Sequence, residues 1–502
     1  MLSYLNPFPS LPDYTGPHKV GSTEYEIPLA SLGLQSLPED IKLSAVKFRL
    51  FYPATTAAST RYGVPWLQEP QTEYLDGYLR LARAKPWLRN IVQSIPYYLR
   101  STRIPAYENA PLSSSNAPLP VVIFSHGIIG NMNTHSAILG ELASYGVFCA
   151  AIEHRDGSGA LSIVRNDDDA KKAPAPTEIT SIGFRQVSLK IKPGVYEQRD
   201  EQLQIRLFEL MATFRALEML NEGLSVRNLA SSADDEFAVP KGALNLTPSS
   251  VTWAGHSFGG TTLIQFMKSI YYNDRRKEDN YSLLMQSPSP TLKAQITPTS
   301  PLVLLDPWYL PLKSTQTRWL YERPLPCHHS DRKASDNDPA RTVVISCEEF
   351  AHHWPECHSH LPAIIAQDPT SVKVQTDEDY HKEYALYTSP RDYVNKSKKA
   401  KAQAALNAAV KGSSENEASE KEVDENAKPI SMVVLHDTTH ITHSDFGVMF
   451  SWFVWWFTGQ KAPELAVQNT PRCILEAGGL PAADDAARVL GVKGQAQLER
   501  VL

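Results

Sequence analysis

Cysteine is scarce in this chain: five residues among 502 (Cys149, Cys327, Cys347, Cys357 and Cys473), odd in number and without a repeating spacing. No disulfide framework follows, and a reducing, cytoplasmic setting is expected. Charge of one sign is also lacking, since 49 basic against 55 acidic residues leave a net charge of only -6. That balance argues against a nucleic-acid partner. Long hydrophobic runs are missing too. The best, Phe446 to Phe457 within DFGVMFSWFVWWFTG, is too short for the roughly 20 residues that span a bilayer. The opening MLSYLNPFPSLPDYTGPHKVG lacks a basic segment followed by an apolar one, so export by the usual route is not expected. Peripheral contact with a membrane stays open.

What is abundant is proline, 37 residues, which implies many irregular loops over a core. Loops of this kind commonly shape binding pockets. At this length, one catalytic domain over 1–470 with sizeable excursions, followed by a C-terminal extension over 471–502, fits better than several independent units. The stretch 396–428, KSKKAKAQAALNAAVKGSSENEASEKEVDENAK, has almost no large apolar residues and turns from basic to acidic. It reads as a disordered insertion or a marginal surface helix. A small terminal helix is expected near 482–490.

Short apolar, β-branched runs recur along the chain: IKLSAVKFRLFYP (41–53), LPVVIFS (119–125), GVFCAAI (146–152), SVTWAG (250–255), PLVLLD (301–306), RTVVIS (341–346) and ISMVVL (430–435). Such runs are the mark of buried strands. A helical stretch at 137–145 separates the second and third, giving a strand–helix–strand unit and hence a mostly parallel α/β sheet. Between 202 and 220, Leu203, Leu207, Leu210, Met211, Phe214 and Leu217 recur at helical spacing with Arg206, Glu209 and Arg215 between them. The pattern predicts a long amphipathic helix. Ligands of open α/β sheets sit at the carboxyl ends of strands, where several of these runs meet reactive residues.

The strongest motif is Gly255-His256-Ser257-Phe258-Gly259-Gly260, which follows one strand and precedes the helical TTLIQFMKSI. This is a nucleophile elbow: a strained strand-to-helix turn that exposes the serine, with glycines where side chains would collide. A serine hydroxyl needs a base, and in this fold the acid and then a histidine follow in the chain. Asp306 at the end of PLVLL suits the acid. In LHDTTHITHSDF the residue types leave His436, His440 and His443 in competition for the base. The developing oxyanion needs two backbone donors, expected from Phe258, at the start of the helix, and from Ile128 in SHGI, at the end of VVIF. Together these predict an α/β-hydrolase fold.

GHSFGG, FSHGIIGN, AAIEHRDGS, LLDPW and THITHSDF, with TGPHKVGSTEYEIP near the start, resemble the platelet-activating-factor acetylhydrolases of the plasma and intracellular single-chain type, in the same order from about Thr15 to Phe457. The resemblance places the family's oxyanion donor on Ile128, its acid on Asp306 and its histidine, five residues before an Asp-Phe pair, on His440. It implies calcium-independent hydrolysis of the short or oxidised sn-2 acyl chain of a phospholipid, releasing a lysophospholipid, with no metal or organic cofactor. The chain departs from the family at His443, where phenylalanine is common, and in a longer segment over 355–428. A broader carboxylesterase or dienelactone-hydrolase-like enzyme on soluble esters uses the same three residues. A non-enzymatic lipid-binding protein on this fold is the third reading, opposed by the presence of all three.

Two further features invite function. Residues 327–360 gather Cys327, His328, His329, Cys347, His352, His353, Cys357, His358 and His360, at spacings that match no zinc signature. They are expected to be loop residues at a pocket rim. The segment 74–100 mixes aromatics and leucines with Arg80, Arg83, Lys85, Arg89 and Arg100. It reads as a buried cap helix, with contact to anionic lipid as the alternative. Trp452, Trp455 and Trp456 are expected to pack in the core.

Overall fold

A computed structural model describes residues 10–34, 37, 41, 43–56, 60–94, 99–113, 117–165, 179–230, 237–328, 341–353, 360–374, 430–451, 454, 464–480 and 498–500. Its strands are β1 (Lys19–Pro28), β2 (Ala45–Ala54), β3 (Tyr62–Pro65), β4 (Arg103–Glu108), β5 (Val121–Ser125), β6 (Phe148–Glu153), β7 (Leu161–Arg165), β8 (Ile179–Gly183), β9 (Thr252–His256), β10 (Leu302–Leu305), β11 (Thr342–Cys347), β12 (Ile430–Leu435) and β13 (Leu498–Arg500). Eleven of them form one sheet in the order β13-β12-β11-β10-β9-β5-β6-β2-β1-β4-β3, and β7 and β8 pair separately. The central six, from β6 to β12, run parallel. The flanks close with antiparallel pairs of β2 on β6 and of β13 on β12.

Alternation within each strand sends side chains to two cores. Val121 and Ile123 of β5 join Trp253, Leu304 and Val344 on one face, beneath the helices Val195–Asn221 and Phe258–Tyr271. Val122 and Phe124 join Ala254, Val303, Leu305 and Ile345 on the other, under the helices Ser136–Ser144 and Glu464–Gly478. Strands buried on both faces read as continuous apolar runs, which is why the central ones were legible.

From β5 the chain proceeds to β6 on one side, then returns to place β9 on the other side of β5. The strand order reverses there, opening a crevice at the carboxyl ends of β5 and β9. That crevice positions everything below.

Two expectations change. The long helix begins at Val195, and Arg206 and Glu209, expected on its polar side, are fully buried. Both are partnered inside: Arg206 Nε lies 2.7 Å from Asp156, and Glu209 Oε2 lies 2.7 Å from His154 Nδ1. The 74–100 segment is two helices: Gln71–Leu81, which buries Tyr74, Leu75 and Gly77, and Pro86–Ser94, which buries none. The helix Glu464–Gly478 includes residue 470, with Ile474 and Leu475 fully buried, and β13 joins the main sheet. The 396–428 insertion, the expected helix near 482–490 and Trp452, Trp455 and Trp456 lie outside the described residues.

Candidate active site

Ser257 sits between β9 and the helix Phe258–Tyr271 at φ 56°, ψ -117°, a conformation that L-residues rarely hold. The surrounding backbone fixes it. Its N–H donates to the Leu305 carbonyl at 2.8 Å, and its own carbonyl accepts from Trp308 and Thr261 N–H at 3.1 Å each. Close approach explains two glycines: a Cβ on Gly259 would lie 1.9 Å from the Ser125 carbonyl oxygen, and one on Gly255 would lie 2.7 Å from Gly259 backbone. The elbow is therefore locked to β5 and β10 at once. Phe258 opens its helix, so its N–H lies in the first turn, where no intrahelical carbonyl accepts it.

Opposite the elbow runs the loop after β5. A Cβ on Gly127 would come within 2.9 Å of Ser257 Cβ, so the expected donor loop 126–128 packs directly on the serine. Its scaffold is buried and polar. Arg206 Nη1 donates to the His126 carbonyl at 2.8 Å, and the Ile129 N–H donates to the Ser158 carbonyl at 2.8 Å. His126 Nε2 accepts the His154 N–H at 3.1 Å, and His154 Nε2 meets Ser125 Oγ at 2.8 Å. Burial pushes the His154 pKa down and the Glu209 pKa up. Burial, with Arg206 adding to it, takes His126 down to about 3. The EHRDGS segment thus holds the loop from below, a role that sequence patterning did not reveal.

Asp306 follows β10 at φ 41° with its side chain fully buried. Oδ1 accepts the Cys347 N–H at 2.8 Å, and Oδ2 faces His440 Nδ1 at 3.1 Å and His443 Nε2 at 3.4 Å. Burial alone would raise its pKa, but His443 and His440 outweigh that and hold the carboxyl well below the usual range. His440 remains partly exposed, its side chain 22% accessible, whereas His443 is fully buried. His436, the third contender, lies instead 3.9 Å from Glu348. The acid thus has two histidines against it, of which only His440 reaches the surface of the crevice.

The histidine segment is pinned by contacts that spacing could not reveal. Glu349 Oε2 accepts the His440 N–H at 3.0 Å. Asp445, fully enclosed, accepts from Trp66 Nε1 at 2.8 Å, Ser136 Oγ at 2.6 Å and Ala137 N–H at 3.0 Å. The His256 ring lies tilted against that of His440, centroids 4.6 Å apart, and burial, with His440 beside it, lowers the His256 pKa strongly.

Among the described residues, the cysteines and histidines of 327–360 do not converge on one another. His328 Nε2 meets the Ile365 carbonyl at 2.6 Å, and His360 Nδ1 meets Tyr321 Oη at 3.1 Å. Cys347 goes instead to Asp306. His329, Cys357 and His358 lie outside the described residues, as do the side chains of His352 and His353.

A parallel sheet with a strained serine turn at its switch point, and with acid and histidine loops at the ends of β10 and β12, defines an α/β-hydrolase. Comparison with known proteins narrows the class. A family model described as "Platelet-activating factor acetylhydrolase, isoform II" matches residues 5–326, well over half of the chain, and the protein belongs to that family. The match includes Ser257, Asp306 and Ile128 and stops short of His440. A Schizosaccharomyces pombe protein named "Putative phospholipase A2" is 29% identical over 50% of this chain and 58% of its own length. The "Platelet-activating factor acetylhydrolase" of Canis lupus familiaris is 30% identical over 47% of this chain and 49% of its own. The chain thus spans about half the length of the curated relatives it matches. A ferulic acid esterase from Streptomyces cinnamoneus superposes over 98% of this chain and 99% of its own at 14% identity and a TM-score of 0.44, a likeness too distant to carry inference.

Proposed function

We propose that the protein is a serine-dependent, calcium-independent hydrolase of the short or oxidised sn-2 acyl ester of phospholipids such as platelet-activating factor, yielding a lysophospholipid and a carboxylic acid. The observation that carries this reading is the 3.1 Å contact of His440 Nδ1 with the buried Asp306 carboxylate, at strand ends beside the strained Ser257 turn. With Nδ1–H committed to Asp306, Nε2 is the ring atom left to take the Ser257 proton. Ser257 Oγ attacks the sn-2 carbonyl, and the oxyanion is held by the N–H groups of Phe258 and Ile128. His440 returns the proton to the leaving lysophospholipid oxygen. Water, activated by the same imidazole, then releases the acid.

The relatives' names support a phospholipid substrate. Peripheral membrane contact is proposed for the helix Pro86–Ser94, whose Trp87, Leu88 and Ile91 are 60%, 38% and 52% exposed, a density of apolar groups suited to a lipid surface. Among the described residues no helix is long and apolar enough to cross a membrane.

The test compares the purified full chain on glycerophosphocholines bearing an sn-2 acetyl or an sn-2 palmitoyl group, with and without a calcium chelator. Fast, chelator-insensitive release of acetate with little palmitate is expected. Equal rates, or turnover of soluble esters alone, would overturn the substrate assignment.

A further inference from the structure

Beside its contact with His440, Asp306 takes part in an arrangement that the proposed hydrolysis does not use: the same Oδ2 that faces His440 Nδ1 also faces His443 Nε2. Asp306, Cys347 and His443 are all fully buried, and one ligand atom from each, the carboxylate oxygen, Sγ and an imidazole nitrogen, lies within 4.8 Å of the others. His443 Nε2 points at this carboxylate from 3.4 Å but makes no hydrogen bond among the described residues. Its other nitrogen faces Thr470 Oγ1 at 3.5 Å. The Phe350 N–H donates to Cys347 Sγ at 3.2 Å, as it would to a thiolate bound to a metal. A lone pair on Nε2 facing a carboxylate is repelled by it, and a cation held between the two relieves that repulsion.

We propose that this trio is an inhibitory site for a thiophilic divalent cation of the zinc class. One oxygen, one nitrogen and one sulfur ligand with a fourth position left over suit tetrahedral Zn2+. Bonds of about 2.0–2.3 Å set such ligands roughly 3.3–3.8 Å apart, so a contraction of at most about 1.5 Å closes the shell. On binding, Cys347 Sγ–H and His443 Nε2–H release their protons to solvent, and the metal takes their place on Asp306. The inference rests on the reading of Asp306 as the acid that orients His440. A bound dication neutralises that carboxylate, and His440 loses both its orientation and its counter-charge. Hydrolysis stops although Ser257 is untouched.

Binding and inhibition are measured separately. Co2+ added to metal-free protein should produce the near-ultraviolet sulfur-to-cobalt charge-transfer absorption of a thiolate ligand, in wild type and in Ser257→Ala alike. Zinc should inhibit ester hydrolysis at one equivalent, with recovery on chelation. Cys347→Ala keeps the backbone N–H that holds Asp306, and its zinc inhibition is read relative to its own metal-free rate. Its zinc inhibition should weaken by more than the roughly 10–100-fold typical of losing only an outer partner of a metal site. His443→Asn serves as the second variant should Cys347→Ala not fold. Absence of the cobalt–thiolate band, or equal zinc sensitivity in wild type and both variants, would overturn the proposal. Because the band is also read in Ser257→Ala, failure of the hydrolytic reading would leave this result standing on its own.

Discussion

Replacing Asp306 by asparagine exchanges a carboxylate for an amide of the same shape at the point where the Cys347 N–H, His440 Nδ1 and His443 Nε2 meet. If the amide oxygen keeps the Cys347 N–H, its NH2 group faces Nδ1. His440 must then move its proton to Nε2, the atom required as base. The lost charge matters as well. The imidazolium formed in the transition state has its carboxylate at an N–O distance of 3.1 Å. Charges about 3–4.5 Å apart at an effective dielectric constant near 20 attract by roughly 4–5 kcal/mol. Asp306→Asn should therefore lower kcat/KM about 10³–10⁴-fold, in line with acid replacement in serine-protease triads. The variant also has a pH signature. The folded carboxyl lies below its unfolded value, so the wild-type contribution to stability is present above about pH 4 and is lost as pH falls further. The variant lacks that acid-side decline. The assay is release of nitrophenol from a nitrophenyl acetate and of acetate from the sn-2 acetyl lipid, beside denaturant unfolding from pH 2 to 8. Activity within tenfold of wild type in folded protein would refute the reasoning.

Two other expectations are open to simple assays. Trp87→Ala with Leu88→Ser removes exposed apolar area, so binding to phospholipid vesicles should drop about fivefold or more per side chain, from about 1 kcal/mol each, while hydrolysis of a soluble ester stays constant; unchanged vesicle binding would exclude this helix as the contact. Lys268 is fully buried with no hydrogen bond to Nζ among the described residues, and burial holds its pKa down to about 7, with Cys327 opposing that shift. The unfolded chain binds more protons between about pH 7 and 10, so stability rises with pH there. Lys268→Met should flatten that rise and stabilise the protein at pH 7 by roughly 2–4 kcal/mol in urea titrations; a destabilised variant would show that the amine has a partner.

The six parallel strands were readable because strands buried on both faces leave little polar alternation, and VVIF, FCAAI and LVLL stand out as unbroken apolar runs. Strands β1 and β4 were not readable. KVGSTEYEIP carries Ser22, Thr23 and Glu26, all buried, and Glu26 is satisfied by Arg155 and Arg165 from distant segments. The same cause hid the true setting of Arg206 and Glu209, since patterning counts a charge as a solvent face while the fold encloses it with Asp156 and His154. At the site, Ser257 and Asp306 were marked by the strands that end on them. His440 was distinguishable from His436 and His443 only through resemblance, because all three share one short loop. Geometry separates out His436 but adds His443 as a second neighbour of the acid, a contact that depends on the loop's course between Thr439 and Asp445.

The central claim is that Ser257 is the nucleophile, and a serine-directed fluorophosphonate tests it most directly. Incubation should add one phosphonyl group to the protein, mapped by peptide mass spectrometry to Ser257, with hydrolysis of the sn-2 acetyl lipid falling in step with labelling. Ser257→Ala, folded with an unchanged Tm, should take up no label and hydrolyse nothing above background. Labelling at another residue, or substantial turnover by folded Ser257→Ala, would contradict the account.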